Sequence, residues 1–159
     1  MQPQKIFQHI HEALPITNRW KDLGWEVVFT NGCFDVLHPG HLKVITRAAG
    51  LGEKLIIGLN SDASVSRIKG SSRPIHHQDD RSEMLAAIEM VDMVILFDED
   101  TPGKLIDRLL PDVLVKGGDY KLDEIVGSDV VIEYGGKVEI VPFLEGHSTT
   151  GILNSLNKS

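Results

Sequence analysis

Short apolar runs set the terms on which this chain can fold. Residues 25–30, Lys54–Asn60, Met93–Phe97 and Val113–Lys116 are largely apolar runs of four to seven residues, and a further strand is expected at 137–141. Such runs are too short for amphipathic helices, and continuous ones suit strands buried on both faces of a sheet. Between them, helical signals recur: about 39–50, a short segment capped by Ser61-Asp62, Gln78–Met90, Pro102–Leu110 with Thr101 as its cap, about 127–134, and a last helix ending near Leu156. Strands alternating with helices indicate parallel βαβ units. The expected fold is α/β, a Rossmann-like doubly wound open parallel sheet of about five strands with helices on both faces. Leu42, Ile45 and Ala49 should form the inward stripe of the helix at 39–50. Residues 1–24 carry Ile6, Ile10, Leu14 and Trp20 at loose helical spacing, broken by Pro15. They predict one or two short helices ahead of a single domain over 25–159.

The run that begins at Trp25 leads into Phe29–His41, F-T-N-G-C-F-D-V-L-H-P-G-H. A loop from a strand's carboxyl end into a helix start presents backbone N–H groups to phosphate. Pro39 fits the first helical position, where its missing N–H costs nothing. His38 and His41 then share one face of the first turn. Two imidazoles at a positive helix end are poorly placed to seek a cation and well placed to hold an anion. This stretch is the expected active site, and its strand should lie centrally, beside the topological switch point. A dinucleotide dehydrogenase is disfavoured, because Gly-x-Gly-x-x-Gly is absent.

The chain as a whole is acidic, with a net charge of −7, which argues against a nucleic-acid or anionic-membrane surface. An anionic substrate must therefore be drawn in by a local cluster of basic groups. Cys33 is the single cysteine, so an intramolecular disulfide is impossible and a reducing compartment fits. With no apolar run of membrane-spanning length and no signal-like amino terminus, the cytoplasm is the expected location.

Other strand ends also collect polar residues. Asn60-Ser61-Asp62 is followed by Arg67 and Lys69, which taken alone read as solvated charges. Arg81 stands at a helix start, where a cation is unfavourable; a nearby anion or a salt bridge to Asp79 or Asp80 would each explain it. In Lys116-Gly117-Gly118-Asp119 the glycines allow a ligand close to the backbone, or simply make a turn. Ser148-Thr149-Thr150 opens the last helix, and alone it is an ordinary cap. His9, His11, His76 and His77 show no ligand spacing, and no metal-binding residues are expected. Cys33 lies in the loop without a catalytic partner. A phosphate site without a covalent nucleophile fits phosphoryl or nucleotidyl transfer between two bound substrates.

The motifs then resemble a known superfamily. N-G-C-F-D-V-L-H-P-G-H is similar to the G-x-F-D-x-x-H-x-G-H signature of cytidylyltransferase-like nucleotidyltransferases, and Ser148-Thr149-Thr150 resembles the element that closes their site. Within it, T-N-G-C-F-D, N-S-D-A-S with R-I-K-G and R-P-I, D-E-D-T-P and L-P-D-V-L-V-K-G-G-D-Y resemble the adenylyltransferase domain of ADP-heptose synthesis, over roughly residues 25–153. In many bacteria that domain is fused behind a sugar kinase, and this chain looks like a stand-alone version.

The resemblance implies that D-glycero-β-D-manno-heptose 1-phosphate and ATP, with Mg2+, give ADP-heptose and pyrophosphate for the lipopolysaccharide inner core. It assigns catalysis to His38, His41, Lys69 and Arg81. Nucleotide binding falls to Thr30, Asn31, Gly32, Cys33, Phe34, Asp35, Gly40, Lys116, Gly117, Gly118, Asp119, Ser148, Thr149 and Thr150. Asn60 and Asp62 border the substrate, Asp62 either touching it or holding a basic neighbour. ATP and a sugar 1-phosphate are the implied partners, in a homodimer whose contact includes the amino-terminal segment. Glycerol-3-phosphate cytidylyltransferases usually carry an arginine where Phe143 stands, which favours the heptose branch; His147 beside Ser148 either touches phosphate or is solvated. A related cytidylyltransferase and a non-catalytic nucleotide-binding module remain the alternative readings.

Overall fold

The computed structural model describes residues 3–142 and 148–158, so Phe143 and His147 lie outside the described residues. In chain order the elements are β1 (Ile6–Phe7), α1 (Ile10–Asp22), β2 (Val27–Gly32), α2 (Pro39–Ala49), β3 (Lys54–Asn60), α3 (Asp62–Lys69), α4 (Gln78–Ala86), β4 (Met93–Phe97), α5 (Gly103–Leu109), β5 (Val113–Gly117), α6 (Ser128–Glu133), β6 (Lys137–Val141) and α7 (Thr149–Leu156). The strands form one parallel sheet in the order β1-β4-β3-β2-β5-β6. From β2 the chain winds outward through β3 and β4, then returns to place β5 on the other side of β2. The switch point therefore lies between β2 and β5, and the strand carrying the motif is central, as expected.

The pleat divides the core. Val27 and Phe29 of β2 face a layer with Ala13, Leu105, Ile106 and Val131, from α1, α5 and α6. Val28 faces the other layer, with Ile45 and Ala48 of α2 and Leu85 of α4. The inner strands β3 and β4 are buried on both sides, which is why their sequences run apolar without alternation, whereas the edge strand β6 is mostly half-buried and alternates.

Five details depart from expectation, the first being that α5 starts at Gly103 with Pro102 rather than Thr101 at the N-cap position. The sheet has six strands, because Ile6–Phe7 pairs with Val94–Ile95; two residues are too few for periodicity to reveal. The segment before residue 25 then holds one helix, α1, which runs through Pro15. Proline removes only the N–H that would reach the His11 carbonyl, while Ala13 is fully buried and Ile10, Leu14 and Trp20 pack on the core. On α2 the buried stripe is Ile45 and Ala48, and Leu42 is exposed. Helix α4 ends at Ala86, where the backbone tightens into turns (Ile88 N–H to Leu85, Val91 N–H to Ile88) that carry the chain into β4. No described helix is long and apolar enough to cross a membrane.

Candidate active site

β2 delivers Asn31 and Gly32 at its carboxyl end, and the chain then turns through Cys33 and Phe34. Phe34 has φ of 46°, a left-handed backbone uncommon for a bulky residue. Burial holds it there: the ring packs with Ile45 and Leu59 in one core layer and meets the His41 ring at 5.1 Å between centroids. A Cβ on Gly32 would come within 3.0 Å of the same ring, so glycine keeps the turn tight.

The loop ends at His38, the N-cap of α2. His38 Nδ1 accepts from the Gly40 N–H at 3.1 Å, and the His38 N–H donates to His41 Nδ1 at 3.3 Å. The two rings stack 3.8 Å apart. Accepting at Nδ1 places the proton of each neutral ring on Nε2. Burial, then the charges of His38 and Lys69, push the His41 pKa down to about 4. His41 is thus a neutral N–H donor near pH 7, set at the positive end of a helix.

The cleft above this turn has two lobes, with volumes of about 410 and 290 Å³. Asn31, Gly32, Cys33, Phe34, His41, Lys69, Lys116 and Thr149 line both. The smaller adds Thr30, His38, Gly40, Gly117, Ser148 and Thr150; the larger adds Asp35, Asn60, Arg73, Asp100, Thr101, Tyr120 and Glu124. Lys116 Nζ lies 5.3 Å from the Tyr120 ring centroid, and burial lowers its pKa against an opposing effect of Cys33. The Cys33 thiol is pushed up by burial, against the nearby cations Lys69, Arg81 and Arg73, and stays protonated. Helix α7 closes the smaller lobe: Ser148 Oγ accepts from the Gly151 N–H at 2.9 Å, and Thr149 Oγ1 donates to the Val36 carbonyl at 3.2 Å. That second bond fastens the start of α7 to the loop between β2 and α2.

Two charged pairs support the floor. Asp35, almost fully buried, pairs with Arg73 Nε and accepts the N–H groups of Ile75 and His76 at 2.7 and 3.1 Å. Burial opposes its charge, but Arg73 and those N–H groups hold its carboxyl below the usual range. Arg81 is wholly buried. Its guanidinium donates to the carbonyls of His76 (3.0 Å), Cys33 (2.6 Å) and Asn60 (2.8 Å) and to Asp62 Oδ1 (2.8 Å). One side chain thereby joins the loop after β2, the end of β3, the start of α3 and the loop before α4.

Residues 29–153 match the family described as cytidylyltransferase-like. The chain belongs to that family. It is a nucleotidyltransferase. It is 55% identical over 150 residues to the bifunctional protein HldE of Rhodopseudomonas palustris (strain BisB18), covering 94% of this chain and 31% of that protein. With the bifunctional protein HldE of Magnetococcus marinus the identity is 49% over 156 residues, 98% of this chain and 32% of the relative. The chain thus spans about a third of the length of these relatives. Among solved structures it is similar to the lipopolysaccharide core biosynthesis protein of Thermoplasma volcanium GSS1, at 28% identity and a TM-score of 0.61, covering 78% of this chain and all of that one. The pantoate-beta-alanine ligase of Francisella tularensis shares the fold at 14% identity and a TM-score of 0.62, covering 88% and 67% of the two chains.

For this nucleotidyltransferase, the geometry sorts the residues singled out in the sequence. His38, His41, Lys69, Lys116, Gly117, Asn60, Thr30 to Asp35, Gly40 and Ser148 to Thr150 converge on the cleft. Arg81 and Asp62 line neither lobe; they bind each other, and Arg81 faces carbonyls rather than the cleft. Its ionic partner is Asp62, not Asp79 or Asp80. Gly118 and Asp119 also lie off both lobes, and the Gly118 N–H is taken by the Val141 carbonyl at 2.8 Å. Arg73, Asp100, Thr101, Tyr120 and Glu124 are cleft residues that reasoning from strand ends missed, and Arg73 is the one of them tied to Asp35. It sits in a polar loop with no periodicity, and its only signal was the R-P-I triplet.

Proposed function

We propose that this chain transfers AMP from ATP to D-glycero-β-D-manno-heptose 1-phosphate, releasing pyrophosphate and forming ADP-heptose. The observation that carries the reading is the two-lobed cleft with His41 and Lys69 on its shared wall. Two substrates that each bear phosphate can meet there, one per lobe. The named relatives, HldE proteins and a lipopolysaccharide core biosynthesis protein, support a sugar phosphate as acceptor.

The smaller lobe takes the nucleotide, between the start of α2 and the start of α7. The acceptor occupies the larger lobe, with Lys69 and Arg73 near its phosphate. An oxygen of the sugar phosphate attacks the α-phosphorus in line, forming a new P–O bond. The bond from that phosphorus to the bridging oxygen breaks, and pyrophosphate leaves with the electron pair. The attacking phosphate is already ionised, so no proton has to be removed. Nε2–H of His41 and the ammonium groups of Lys69 and Lys116 then meet charge that grows on the transferring group. Mg2+ belongs to the same proposal, since it is commonly held by substrate phosphates and water rather than by a protein cage. When bound, Mg2+ neutralises part of the triphosphate charge.

The test is pyrophosphate release from each nucleoside triphosphate paired with heptose 1-phosphate or glycerol 3-phosphate. ATP with heptose 1-phosphate should dominate, and chelation of Mg2+ should abolish release. Turnover of CTP with glycerol 3-phosphate in its place would overturn the reading. A homodimer belongs to the same proposal, and sedimentation velocity checks it.

A further inference from the structure

The larger lobe contains two carboxylates that the transfer chemistry does not use. Asp100 and Glu124 line it together with Lys69 and Arg73. Carboxylates beside a site for two phosphate-bearing substrates are unfavourable by simple repulsion, unless they face hydrogen-bond donors. Each is pinned through one oxygen: Asp100 Oδ1 accepts from Arg67 Nε at 2.9 Å, and Glu124 Oε2 from the Lys121 N–H at 3.0 Å. Among the described residues, the second oxygen of each carboxylate has no hydrogen-bond donor. The same lobe exposes Ile68, Tyr120 and Val126, each at least 40% accessible. Fixed acceptors interspersed with apolar surface match a molecule whose rim carries hydroxyls and whose faces are C–H, as a pyranose is.

We propose that Asp100 and Glu124 are specificity-determining residues that accept hydrogen bonds from hydroxyl groups of the acceptor. The lobe thereby selects a phosphorylated polyol over a plain phosphate ester. This rests on the adenylyl-transfer reading above. A lobe built to bond a substrate hydroxyl rejects an analogue lacking it, because its own polar atoms are left unpaired.

The experiment measures pyrophosphate release by the wild type, Asp100→Ala and Glu124→Ala with heptose 1-phosphate and with cyclohexyl phosphate, a ring of similar size without hydroxyls. Each variant should raise KM for the heptose ester roughly 10- to 100-fold, the loss of a hydrogen bond to a charged group. KM for ATP and the weak reaction with cyclohexyl phosphate should stay unchanged, as should the melting temperature, since both residues are exposed. An unchanged KM for the heptose ester, or an equal rise for ATP or cyclohexyl phosphate, overturns the assignment. If the wild type uses CTP and glycerol 3-phosphate instead, the adenylyl-transfer reading falls, and the same variants on glycerol 3-phosphate decide the hydroxyl assignment. Release with no acceptor at all overturns both.

Discussion

The backbone N–H of His38 donates to Nδ1 of His41 at 3.3 Å, beneath rings stacked 3.8 Å apart. The bond fixes both the tautomer and the direction of the second imidazole, leaving Nε2–H as its donor. Neutrality of His41 is a consequence of burial and of its neighbours, not of solution pH alone.

Replacement of His41 by alanine should therefore lower kcat by at least ~10², a typical loss for one donor to transition-state charge. ATP affinity should fall far less, because Lys69, Lys116 and the helix N–H groups remain. Steady-state kinetics combined with calorimetric titration of ATP separates the two effects. Near-normal kcat would remove His41 from the assigned role.

The same residue shapes acid stability. Its pKa is about 4 in the folded chain against an ordinary 6.5, so between those values the unfolded state binds more protons. Stability should accordingly fall as pH drops from 6.5 towards 4. Thermal melts of His41→Gln should show a shallower decline across that window than the wild type. Asp35 acts lower on the scale: its carboxyl is held below 3.8, and its contribution is lost only as pH falls through that lower folded value.

Arg81 predicts a stability defect. Arg81→Leu leaves three carbonyls and Asp62 without their donor, which should cost about 3–5 kcal/mol in denaturant unfolding. Arg81→Lys should recover little, because one ammonium cannot reproduce a planar fork reaching four acceptors. A lysine variant of wild-type stability would show that charge, not geometry, is what the position needs.

Close packing at the smaller lobe is testable through Gly117. A Cβ there would stand 2.7 Å from Val44 Cγ2, so Gly117→Ala should push α2 away from β5. The expected loss is about 1–3 kcal/mol of stability, together with weaker ATP binding. Val44→Ala supplies the missing space, and the double variant should lose less than the sum of the singles. Strict additivity would mean that the two positions do not share that space.

The sequence was readable where one physical signal dominated. Continuous apolar runs located β3, β4 and β5, because burial on both faces removes alternation. Pro39 and Ser148 located the starts of α2 and α7 through first-turn chemistry. The strand β1 escaped, since pairing with β4 rather than composition makes it a strand. Arg81 was noticed for the right oddity, a cation at a helix start, but its partners are main-chain carbonyls from three separate segments, and no spacing rule encodes those. Arg73 was silent for a similar reason: its partner Asp35 lies 38 residues away in sequence, on a separate loop.

The position of β2 carries a last consequence. Its residues pair with β3 in strict register, Asn31 with Gly58 and Gly32 with Leu59, while its earlier residues pair with β5 on the other side. The strand that ends in the cleft loop thus supplies residues, Asn31 and Gly32, to the wall that both lobes share. A slip of one residue along either ladder would reverse which side chains face each layer and misplace both lobes together. The geometry of the shared wall is written into a hydrogen-bonded ruler, so mutations that loosen the β2–β3 pairing far from the cleft should, on the proposed reaction, register first as a fall in kcat rather than a rise in KM.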